Sequence, residues 1–203
     1  MIGSATVRPR SLSQPAFDLS TVDTPEEAMV MPGCDLWVGL VLGPLPGRVT
    51  VTSDDQVMTY EQRPSNQPPS YSGQINGQAF QLDREPIARG WRAYGDTPAG
   101  PIDSSLMGGH GGFGFIGQAG DIEVSTSLAL DQSNDGFHLA YMSGQVGGQN
   151  FAAKVVKSLG QVEVYGKLGE QPLRQTITMG PHQEWQIASQ IGSVHYTEVI
   201  ERL

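Results

Sequence analysis

A single cysteine, Cys34, rules out any disulfide within the chain and any zinc site built from cysteines. Long apolar runs are missing too: no stretch approaches the 18 or so residues that a bilayer-spanning helix needs. Basic residues are scarce, 12 Lys and Arg against 21 Asp and Glu, and the resulting net charge of -9 repels phosphate backbones and anionic surfaces at long range. Nucleic acid is therefore not an expected partner, and membrane insertion is not expected either. Residues 1–17 carry Arg8 and Arg10 but lead into no apolar segment of the kind a secretory signal requires, so a soluble, cytoplasmic protein is expected. The four histidines, His110, His138, His182 and His195, show no His-x-His or His-x-x-x-His spacing, and no cofactor is expected.

Glycine and proline, by contrast, are plentiful at 26 and 14, which points to many tight turns and, with 38% hydrophobic residues, to a β-rich globular chain. From residue 35 onward short apolar-polar alternations are separated by glycine clusters. The first two runs, Leu36 to Leu42 and Arg48 to Thr52, flank Gly43-Pro44-Leu45-Pro46-Gly47. Later turns are expected to open at Gly73, Gly95, Gly117, Gly144, Gly166 and Ser189, a spacing near 22 residues that suits one hairpin per repeat. In Gln161-Val162-Glu163-Val164-Tyr165 the two valines face one way and Glu163 the other, as in a strand with one packed and one wet face.

A second periodicity lies above the hairpin. Shifting the sequence by 71 residues lays Ser72-Gly73-Gln74-Ile75-Asn76-Gly77-Gln78-Ala79-Phe80 on Ser143-Gly144-Gln145-Val146-Gly147-Gly148-Gln149-Asn150-Phe151, then Tyr94-Gly95 on Tyr165-Gly166. Nine identities fall in the 31 ungapped positions from Ser72 to Ile102, where ordinary composition gives roughly two. The expected fold class is thus all-β: antiparallel hairpin repeats, internally duplicated, closing as a pseudo-twofold β-sandwich or barrel. Its parts would be a flexible arm at 1–29, a first unit at 33–107, a second at 108–179 and a C-terminal hairpin at 180–203 completing the sheet. In the arm, Thr24, Pro25 and Glu27 fit the N-cap, first-turn proline and third-position acid of a short helix. The expected inward set is Trp37, Val49, Val51, Phe80, Leu82, Tyr94, Phe115, Ile122, Val124, Phe151, Val155, Val162, Val164, Ile177 and Ile187.

Chemistry-bearing patterns are few. Met107-Gly108-Gly109-His110-Gly111-Gly112-Phe113-Gly114 resembles an oxyanion loop in its His-Gly-Gly run, but the Gly-x-Ser-x-Gly elbow that accompanies such loops is missing, and a flexible junction between units explains the glycines. Cys34, after Pro32-Gly33, would need a histidine beside it to act as a nucleophile. In Asp131-Gln132-Ser133-Asn134-Asp135-Gly136 the oxygens of Asp131, Ser133 and Asp135 alternate as in a calcium loop, yet the twelfth position is Met142 where a bidentate glutamate belongs. Trp91, Arg92, His110 and Trp185 are the candidate lining of a ligand pocket.

Three functions compete on these grounds. The first is a non-catalytic structural or protein-binding module that pairs with itself or another protein through open sheet edges. The second is a small-molecule carrier closed around an apolar cavity. The third is a hydrolase using Cys34 or His110, which lacks any positive motif.

Overall fold

A computed structural model of the protein describes residues 19–34, 46–53, 56–64, 67–131 and 139–203. One helical turn, α1 (Pro25–Ala28), precedes fourteen strands: β1 (Gly47–Ser53), β2 (Gln56–Gln62), β3 (Tyr71–Ile75), β4 (Gln78–Ile87), β5 (Gly90–Thr97), β6 (Gly100–Gly109), β7 (Gly112–Ala119), β8 (Ile122–Leu130), β9 (Leu139–Val146), β10 (Gln149–Ser158), β11 (Gln161–Leu168), β12 (Gln171–Met179), β13 (Trp185–Ile191) and β14 (Val194–Arg202). Each strand pairs antiparallel with the next, and β1 pairs with β14, so the sheet closes on itself as an all-β barrel. Of the two expected architectures, the barrel is the one adopted. The expected strand from Leu36 to Leu42, with Trp37, lies outside the described residues.

Alternation sets the two faces of the wall. Val49, Val51, Phe80, Leu82, Phe115, Val124, Phe151, Val155, Val162, Val164, Ile177 and Ile187 are buried on the inside, and Ile122 packs against them. Tyr94, expected inward, faces out instead: Ala93 beside it is buried, and successive residues of a strand point to opposite faces. The outer face carries Thr, Gln, Glu, Lys and Arg, for example Arg48-Thr50-Thr52 on β1 and Lys154 on β10. That is the reverse of the arrangement by which strand barrels face lipid. No helix among the described residues is long and apolar enough to cross a membrane.

The glycines near 22-residue spacing do not form the turns. Gly73, Gly95, Gly117, Gly144 and Gly166 sit inside β3, β5, β7, β9 and β11, on the inward face, while the turns begin three residues later, as at Asn76-Gly77, both with positive φ. At Gly166, which pairs with Ala153 and Leu173, a β-carbon would stand 2.2 Å from the Ala152 carbonyl oxygen and 2.6 Å from the Ala153 β-carbon. The missing side chain lets neighbouring strands approach closely enough for the sheet to coil shut.

Strand register follows the 71-residue shift across three successive ladders. Gly73 faces Phe80 as Gly144 faces Phe151; Arg84 faces Ala93 as Val155 faces Val164; Tyr94 faces Asp103 as Tyr165 faces Arg174.

Residues 19–34, which take in the described end of the arm expected at 1–29, form a strap across one mouth of the barrel. The Val22 N–H donates to the Ala99 oxygen (2.9 Å), Gln171 Nε2 donates to Glu26 Oε1 (2.6 Å), and the Leu19 N–H donates to Gln56 Oε1 (2.7 Å). These partners come from hairpin ends spread round the rim. The α1 turn forms where it was expected, with a reciprocal cap: Thr24 Oγ1 accepts the Glu27 N–H, and Glu27 Oε2 accepts the N–H groups of Thr24 and Asp23. After it the chain dips inward, where Gly33 lies against Ala93, Ile102 and Ser104, and Ser104 Oγ donates to the Gly33 carbonyl (2.7 Å). Leu19, Val22, Ala28, Met29, Val30, Met31 and Cys34 are all buried. A barrel of fourteen strands encloses more volume than its wall side chains fill, and these seven apolar residues occupy part of it.

Candidate functional site

The sequence-predicted site residues do not converge. Cys34 is fully buried near the strapped mouth, its thiol 4.0 Å from the Gln118 carbonyl oxygen. His110 is exposed in the β6–β7 turn at the opposite mouth. Gln118 pairs with Asp103, and seven residues of strand separate Asp103 from His110, about 23 Å at the usual rise. Cys34 and His110 are therefore too far apart to act together as nucleophile and base. Trp91 and Trp185 open β5 and β13 on opposite walls at the unstrapped mouth, each partly buried against the core. Arg92, next to Trp91 in a strand, points outward and shares no lining with it. Asp131 closes the end of β8, its N–H donating to the Leu139 oxygen (3.0 Å), whereas Ser133 and Asp135 lie outside the described residues.

What the wall does assemble is a pair of outward rows. The first runs Asp83–Tyr94–Asp103 across β4, β5 and β6, and continues through Gln118 to Glu123. Arg92 crosses it: Nε and Nη2 donate to the two oxygens of Asp103 at 2.7 and 2.6 Å, Nη1 lies 3.4 Å from Glu85, and the guanidinium carbon sits 5.1 Å from the Tyr94 ring centre. Those Arg92 hydrogen bonds hold the Asp103 carboxyl below the usual carboxylate range and raise the pKa of Arg92 itself.

The second row runs Lys154–Tyr165–Arg174 across β10, β11 and β12. Arg174 stacks 5.6 Å from the Tyr165 ring centre and lies 3.9 Å from Glu163. Tyr165 is held protonated to higher pH than usual, chiefly by its hydrogen bond to Glu163. Position for position under the 71-residue shift, Asp83 becomes Lys154, Arg92 becomes Glu163 and Asp103 becomes Arg174, while the tyrosine stays. The two rows thus share a backbone register and carry opposite charges. All three lysines of the chain, Lys154, Lys157 and Lys167, belong to the second side, whereas Asp83, Glu85, Asp96, Asp121 and Glu123 surround the first.

Beside the acidic row lies an open groove of about 570 Å³ over β6, β7 and β8, lined by Asp103, Ser105, Met107, Ile116, Gln118 and Glu123 among others. Met107 and Ile116 are large apolar side chains exposed on this wall. The sequence reading missed both rows, although the signal was present: reading the aligned repeats for charge as well as identity reveals the inversion.

No protein-family model matches the chain, and no curated protein matches it.

Proposed function

We propose that this chain is a non-catalytic structural module that associates with further copies of itself, wall against wall, the acidic row of one copy meeting the basic row of the next. The observation that carries this reading is the charge inversion between Asp83–Tyr94–Asp103 and Lys154–Tyr165–Arg174 in matching register. Edge-to-edge strand pairing, the route the sequence suggested, finds no open edge among the described residues, because β1 and β14 pair and each of the fourteen strands has two neighbours. Wall contact is what remains. Exposed ion pairs contribute only about 0–1 kcal/mol each, so the charged rows select register and partner. Burial of Met107, Ile116 and the tyrosines supplies the apolar area. Because the contact joins two different patches, it propagates into a ring or a filament instead of stopping at a twofold dimer.

The test is light scattering during size-exclusion chromatography, across concentration and salt, on the wild type and two double variants. Lys154→Asp with Arg174→Asp leaves two acidic rows, and Asp83→Lys with Asp103→Lys leaves two basic ones. Each variant alone is expected to be monomeric, and an equimolar mixture is expected to assemble. A wild type that stays monomeric into the high micromolar range would sink the proposal, as would variants that assemble unaided.

A further inference from the structure

The far mouth of the barrel holds a buried cation with no counter-charge among the described residues. Arg84, on β4, points inward and is 92% shielded from solvent, at 8% relative exposure. Its Nη2 donates to the Arg63 carbonyl oxygen (3.0 Å), and its guanidinium carbon sits 5.8 Å from the Tyr71 ring centre. Nη1 is buried and finds no hydrogen-bond partner among the described residues. Among the described residues no carboxylate lies within ion-pair distance of it, although the chain has 21. The Arg63 main chain ties Ser70 into the same corner, its N–H donating to the Ser70 carbonyl at 2.8 Å. The Ser70 hydroxyl is likewise buried, with no hydrogen-bond partner among the described residues.

An uncompensated guanidinium away from water is costly, and buried arginines in folded proteins are ordinarily paired. Two orphan donors in one corner, one of them charged, are a donor set for an anion: a planar fork that matches a carboxylate or a phosphate, and a hydroxyl to take a second oxygen. We propose that Arg84 and Ser70 form a binding site for a small oxyanion, a carboxylate or a phosphate, with the Tyr71 ring as its apolar wall. The site is independent of the self-association surface, since Arg84 faces inward while the charged rows face outward.

Calorimetric titration with inorganic phosphate, with acetate and with benzoate distinguishes the sources. Saturable binding of phosphate alone would assign a phosphate site, and binding of the two carboxylates alone would assign a carboxylate site. Either is expected to weaken at least tenfold in Arg84→Met and measurably in Ser70→Ala. Thermal melts supply a second readout that does not need the binding signal. Without ligand Arg84→Met should melt at or above the wild type, because the uncompensated charge is gone, and ligand should raise the wild type only. Absence of binding by all three anions, or binding unchanged in Arg84→Met, would overturn the site. So would an Arg84→Met variant that melts well below the wild type with no ligand response in either, which would make Arg84 a purely structural group.

Discussion

Replacing Gly166 with alanine tests whether the mid-strand glycines serve packing or turning. The new β-carbon would meet the Ala152 carbonyl oxygen at 2.2 Å and the Ala153 α-carbon at 2.7 Å. Both obstacles are main chain, so no side chain can swing aside to relieve them. Forcing a methyl into packed structure costs about 1–3 kcal/mol, offset by the roughly 0.5–1 kcal/mol that alanine gains over glycine inside a strand. With backbone as the obstacle the upper end applies, a net loss near 2 kcal/mol, or a fall of about 4–8 °C in Tm for a domain of this size. Gly114→Ala is the control: it lies on the outer face of the same wall, where a β-carbon would meet nothing within 4 Å, and its Tm should hold or rise slightly. Thermal melts followed by circular dichroism read both. Equal melting of the two variants would refute the close-approach argument and return these glycines to the status of ordinary turn formers.

The strap offers an independent test, since Met31→Ala should lose about 2–5 kcal/mol in urea titration if Met31 is core, and almost nothing if residues 19–34 are a loose arm. Thr24→Ala removes half of the reciprocal cap and should cost about 0.5–2 kcal/mol in the same assay. Cys34 should react with an aromatic disulfide reagent only as fast as the barrel opens, and immediate labelling of the native protein would contradict its burial. Asp103 has its carboxyl pKa lowered by Arg92, so their pair is complete above the usual carboxylate range and is lost only as pH falls through the lowered value. Assembly followed by light scattering should therefore persist through the usual carboxylate range and fail only as the pH falls below it.

Much of the wall was legible from the residues. Val162, Glu163 and Val164 announce their faces by parity, and no partner strand is needed to assign them. Tyr94 misled because aromatic character was weighed above parity, although Ala93 and Ile102 already define the inward positions of that hairpin. Glycine spacing gave the hairpin period correctly and set the opening of each turn about three residues early, since a residue without a side chain serves either a positive φ or a close approach, and both recur once per hairpin. Closure was legible only as one of two architectures, and its seam was not: the β1–β14 ladder joins Gly47 to Arg202, and nothing local to either records the other. The strap was hidden for a related reason, because an irregular segment packed by seven scattered apolar residues has no period to detect.

The β1–β14 seam also dictates the order in which the protein can be made. β1 leaves the ribosome among the first strands, yet its second neighbour is the last strand to emerge, so that side of β1 stays unpaired through synthesis of the other twelve. Thr50, Thr52 and Arg48 on its outer face, and the brevity of its seven residues, limit what that waiting strand can attract. Joining the seam is then the slow, non-local event, and until it happens the growing chain is an open, curling sheet with two reactive margins.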